Sequence, residues 1–131
     1  MLSIILLHDD YFILKSLKST LMKNKNWHVD AFTSAKDAIN RANNITYDIA
    51  IADYDALGTK KIRFLAEMKR IQPEVASLIL TNAFNHNVLV ESIHRVETFR
   101  TLNESINITL SKNTLKEYTS SFTFNETNSY A

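Results

Sequence analysis

Asp48-Ile49-Ala50-Ile51-Ala52-Asp53-Tyr54-Asp55 is a short apolar run closed by a carboxylate. Consecutive apolar residues of this kind suit a strand buried on both faces, as in the interior of a parallel sheet. In such sheets ligands collect beyond the carboxyl ends of the strands, so Asp53 is delivered to the edge where chemistry happens. Two other stretches have the same form. Ser3-Ile4-Ile5-Leu6-Leu7-His8-Asp9-Asp10 ends on adjacent acids, and Ala76-Ser77-Leu78-Ile79-Leu80-Thr81 ends on a hydroxyl. Side by side, these strands would bring three carboxylates and a hydroxyl into one pocket.

The segments between them have helical spacing. Residues 11–24 place Phe12, Ile13, Leu17, Leu21 and Met22 on one expected apolar face. Trp27–Phe32 alternates and predicts a second strand nearer the sheet edge. Ser34, with Asp37 three residues on, predicts a capped helix running to about Asn43. A third helix is expected over 60–71, with Ile62, Leu65, Met68 and Ile71 inward, ending before Pro73. A fourth is expected over 86–95, with Val88, Leu89 and Ile93 inward. Thr98–Leu102 reads as a fifth strand, and the chain to about Phe122 as a weak last helix that includes Ile108. Strands alternating with helices predict an α/β fold with a parallel sheet and right-handed crossovers. One domain is expected over 1–120. Residues 121–131, rich in Ser, Thr and Asn, read as a polar tail.

Composition narrows the function classes. The chain has 131 residues, 45% of them hydrophobic, which suits one domain with a real core. Fifteen Lys and Arg against 14 Asp and Glu give a net charge of +1, without the basic excess of a general nucleic-acid binder. The absence of cysteine excludes disulfides and thiolate metal sites. No apolar run reaches the length of a membrane span, and Met1–Leu7 lacks the basic start of a signal peptide, so a cytoplasmic protein is expected.

Three carboxylates in one pocket repel each other, and a hard divalent cation would relieve that. Oxygen ligands favour magnesium over zinc or copper. Asp53 at its strand tip would be a nucleophile able to take a phosphoryl group, with Thr81 bonding a phosphate oxygen. Each residue alone has a plainer reading. Asp9-Asp10 could be a helix-capping turn, Asp53 and Asp55 solvated loop acids, and Phe99 a core residue. His8, His28, His86 and His94 show no ligand spacing and read as surface or strand-end residues. Lys60, Lys61 and Arg63 read as a solvated helix start.

Taken together, Leu6-Leu7-His8-Asp9-Asp10, Asp48-Ile49-Ala50-Ile51-Ala52-Asp53 and Leu80-Thr81 resemble a response-regulator receiver domain of two-component signalling. The resemblance spans about residues 3–120. It implies a flavodoxin-like (βα)5 sandwich with a five-stranded sheet in the order 2-1-3-4-5. It implies magnesium at Asp9, Asp10 and Asp53, with the main-chain carbonyl of Asp55 as a further ligand. Asp53 would be the acceptor for a histidine kinase or phosphotransfer protein, and Thr81 with Phe99 on strand five would form a switch pair. The modified domain would bind a downstream protein, as a monomer or a homodimer, rather than act as an enzyme. It would touch neither nucleic acid nor membrane.

Departures from the family pattern accompany the match. Ala56-Leu57-Gly58-Thr59-Lys60-Lys61 replaces the usual Met-Pro and Asp-Gly, and Asn82 stands where a small residue is usual. Val96-Glu97-Thr98-Phe99-Arg100-Thr101-Leu102 resembles the strand that precedes the family's Lys-Pro. In that gapless register Glu104 stands at the lysine position. A second register, with Leu110-Ser111-Lys112-Asn113 as the strand end, gives the role to Lys112. These departures motivate an alternative: a degenerate pseudo-receiver that binds its partner independently of phosphorylation. A small haloacid-dehalogenase-like hydrolase is a third reading, weakened by the lack of room for a cap domain.

Overall fold

A computed structural model describes residues 1–53, 59–80, 86–100 and 107–110. The side chains of residues 59, 60, 99, 100 and 107–110 are outside that description. In chain order the elements are β1 (Leu2–Leu7), α1 (Tyr11–Leu21), β2 (Trp27–Phe32), α2 (Ala35–Ala42), β3 (Ile49–Asp53), α3 (Thr59–Ile71), β4 (Ala76–Leu80), α4 (His86–Arg100) and β5 (Asn107–Leu110). The strands form one parallel sheet in the order β2-β1-β3-β4-β5, as expected for a flavodoxin-like fold.

Register follows from burial. Leu7 lies opposite Ala52, and Asp53 opposite Leu80, so the ends of β1, β3 and β4 are level. Alternate residues of β1, β3 and β4 enter two separate cores. Ile4, Leu6, Ile49, Ile51, Leu78 and Leu80 meet Leu14, Leu17 and Leu21 of α1 and Leu89, Ile93 and Val96 of α4. Ile5, Leu7, Ala50 and Ala52 meet Ala38 and Ala42 of α2 and Phe64, Leu65 and Met68 of α3. Burying apolar side chains on both faces explains the unbroken apolar runs.

Local chemistry sets the ends. Ser34 Oγ accepts from the Asp37 amide at 3.2 Å, which caps α2 as expected. At the start of β3, Asp48 Oδ2 accepts from the Ser3 amide at 2.8 Å. Past the end of α3, Gln72 donates to the carbonyls of Ala42 and Ile45, both at 2.8 Å, and accepts from the Tyr47 amide at 2.7 Å. One side chain thereby ties the α3 terminus to the loop entering β3. The Tyr47 hydroxyl donates to Asp30. Burial and this bond push the Tyr47 phenol well above its usual range.

Several expectations are corrected. The buried stripe of α1 is Leu14, Leu17 and Leu21, while Phe12 is 80% exposed and Ile13 and Met22 are also exposed. In α3 the buried stripe includes Phe64, and Ile62 is 43% exposed. Residues 98–100 continue α4 rather than opening a strand, and Ile108 belongs to β5 rather than to a last helix. α4 shares its core with α1, whereas α2 and α3 share the other. Leu89, Ile93 and Val96 hold α4 there by completing the α1 core. The expected tail at 121–131 lies outside the described residues.

Candidate functional site

Asp53 is the last residue of β3, and Asp9 follows the end of the neighbouring β1. Their carboxylates converge as expected, but on a side chain the sequence reading had placed in solvent. Lys61 reaches from the first turn of α3, hydrogen-bonding Asp9 Oδ2 and lying 3.3 Å from Asp53 Oδ2. Lys61 is only 5% exposed. Burial opposes its charge, but the bond to Asp9 and the field of Asp53 outweigh it, so its ammonium is held above the ordinary lysine range.

The signal for Lys61 was present in the sequence. Phe64, Leu65 and Met68 are buried apolar residues of α3. Lys61 stands three, four and seven positions before them, on the same helical stripe. Choosing Ile62 as the inward residue rotated the expected face away from the acids.

Asp10 goes elsewhere. It is the N-cap of α1, and its Oδ1 accepts from the amides of Phe12 at 2.9 Å and Ile13 at 3.2 Å. Its own amide donates to His8 Nδ1 at 3.0 Å. In a neutral ring that bond leaves the proton on Nε2, which faces Asp53 Oδ2 at 4.0 Å. His8, expected at the surface or a strand end, follows the end of β1 and is nearly buried beside Asp53. The other Asp53 oxygen, Oδ1, is buried with no hydrogen-bond partner among the described residues. An unpartnered buried carboxylate oxygen is costly, and it leaves the group free to bond something that enters the site.

Among the described residues, no three His, Asp or Glu side chains come together to hold a metal ion. With Asp10 capping α1 and the Lys61 ammonium between Asp9 and Asp53, this donor set does not fit a magnesium site built on three carboxylates. Asp55, Thr81, Asn82, Glu104 and Lys112 lie outside the described residues. Phe99 falls within α4, which corrects its assignment to strand five. Since β5 is Asn107–Leu110, Glu104 precedes it and Lys112 follows it. The strand on which the Glu104 register rested, Thr98–Leu102, is replaced by Asn107–Leu110.

No protein-family model and no curated relative matches the sequence. Solved structures do match the fold. The BeF3-activated DrrB receiver domain aligns with a TM-score of 0.64 at 18% identity, covering 75% of this chain and 98% of that one. A LuxR family DNA-binding response regulator from Silicibacter pomeroyi aligns at 0.64 and 16% identity, covering 88% and 100%. A response regulator receiver domain protein from Clostridium thermocellum aligns at 0.55 and 21% identity, covering 83% and 81%. No described helix is long and apolar enough to cross a membrane. With its sheet order and acid-bearing strand ends, the chain has the fold of the response-regulator receiver domains.

Proposed function

We propose that this chain is a phosphoacceptor receiver module of two-component signalling, with Asp53 as the acceptor. The observation that carries the reading is the state of that carboxylate. It stands at the tip of a central strand, one oxygen close to a buried ammonium and the other without a partner among the described residues. The donor is a histidine kinase or phosphotransfer protein. An Asp53 oxygen bonds to phosphorus as the donor's P–N bond breaks. The electron pair returns to an imidazole already protonated on its other nitrogen, which leaves neutral. Lys61, already beside Asp53, then pairs with phosphoryl oxygens. The resemblance adds Thr81, and in its second register Lys112, to the residues that would contact the phosphoryl group. The modified domain acts by binding another protein.

Incubation with acetyl phosphate and intact-mass measurement tests this reading. One phosphoryl group is expected on the wild type and none on Asp53→Asn. No mass gain by the wild type under any metal condition would count against it.

A second reading rests on a specific contact. Lys61 links Asp9 and Asp53 directly, as a pseudo-receiver held in one state would require. That reading expects equal partner affinity for wild type and Asp53→Asn, whereas the phosphoacceptor reading expects a difference after phosphodonor treatment.

A further inference from the structure

We propose that the Lys61 ammonium replaces the divalent cation at this site, so that the pocket is neutralised by a charge built into α3 and takes its phosphoryl group without metal. This deepens the phosphoacceptor reading and rests on it for the phosphoryl step alone. Three observations support the substitution. The ammonium occupies the approach between the Asp9 and Asp53 carboxylates, the only two of the three expected metal-binding side chains that converge. Asp10 is held away by two amide bonds at the start of α1. Lys61 is also fixed from behind, because Phe64, Leu65 and Met68 on its stripe are packed into the core. A metal ion entering here must displace an ammonium from both carboxylates and leave it near-buried without them, which is unfavourable.

Charge accounts for the arrangement. One ammonium offsets one of the two carboxylates. The side chain of Asp9 is 65% exposed and is stabilised by water, whereas that of Asp53 is 16% exposed and depends on a fixed partner. The group-transfer step is the one given above: the Asp53 O–P bond forms, the donor bond to phosphorus breaks, and the leaving group takes the electron pair. With acetyl phosphate that leaving group is acetate. Lys61 keeps its protons throughout and supplies charge only.

Mn2+ binding and metal-free phosphorylation test the substitution. Wild-type protein should show no saturable Mn2+ binding by calorimetry at about millimolar metal. Lys61→Met, checked for folding by circular dichroism, should bind Mn2+ about tenfold tighter or better, and lose that site when Asp53→Asn is added. Lys61→Arg, which keeps the charge, should behave as the wild type. Saturable Mn2+ binding by the wild type overturns the proposal even if Lys61→Met does not fold, and so does a folded Lys61→Met that gains no binding. In EDTA, wild type should still accept a phosphoryl group from acetyl phosphate. Uptake only with metal overturns the substitution and leaves the phosphoacceptor reading standing. No uptake under any condition, together with the expected Mn2+ pattern, overturns the phosphoacceptor reading and leaves the substitution standing.

Discussion

The Lys61 ammonium lies 3.3 Å from Asp53 Oδ2, held there by the phase of α3. Phe64, Leu65 and Met68 face the core, and that phase carries Lys61 to the carboxyl end of β3 rather than into solvent. The contact is therefore set by packing as well as by charge. Lys61→Met should destabilise the fold by about 1–3 kcal/mol near neutral pH, because Asp53 is left charged and mostly buried. Urea denaturation of the two proteins checks this.

The same contact has an alkaline signature. The folded-state pKa of Lys61 is raised above its ordinary value of 10.5. A raised lysine contributes stability that is fully present below its unfolded value and lost as pH rises through its folded value. Denaturation midpoints of the wild type should therefore fall toward those of Lys61→Met in strongly alkaline solution. An unchanged gap there would contradict the ion pairing.

Tyr47 and Asp30 form an acid-sensitive pair. Burial pushes the Asp30 carboxyl up, but the bond from Tyr47 and the charge of His28 outweigh it, holding the group below its ordinary 3.8. A depressed carboxyl contributes stability present above its unfolded value and lost as pH falls through its folded value. Tyr47→Phe should cost about 1–2 kcal/mol at neutral pH and flatten the stability profile below about pH 4. Chemical denaturation across that range checks both effects.

Gln72 is a structural prediction of a different kind. Its amide satisfies two carbonyls and one backbone amide at the junction of α2, β3 and α3. Gln72→Ala leaves all three to find water or stay unpaired, at a cost of about 2–3 kcal/mol. Amide exchange should quicken around Tyr47 first. Gln72→Glu should recover little, since a carboxylate cannot donate to the two carbonyls.

The strands were legible in the sequence because burial on both faces leaves an unmistakable run, as in Ile49–Ala52 and Ala76–Leu80. The acids at Asp9 and Asp53 were legible for the same reason, since a strand ending on a carboxylate places it at the sheet edge. Helix phase was less legible. In α1 the hydrophobic residues Tyr11, Phe12, Ile13 and Leu14 run consecutively, so several faces fit, and packing chose Leu14. In α3 the choice between Ile62 and Phe64 decided whether Lys61 faced water or the acids. The capping role of Asp10 was the plainer of its two readings, and the amides of Phe12 and Ile13 bear it out. The fifth strand failed for another reason. Val96 continues the Leu89 and Ile93 stripe, so the core pulled the segment that resembles a strand into α4.

The most direct test of this site is the chemical reactivity of the Lys61 amine. Brief treatment with an acetylating reagent, followed by peptide mass spectrometry, reports each lysine separately. Lys61 should react far more slowly than exposed Lys15, Lys25 and Lys36, and should become reactive when Asp9→Asn and Asp53→Asn are combined. A Lys61 that acetylates as fast as Lys25 in the folded wild type would contradict the buried ammonium on which the site depends.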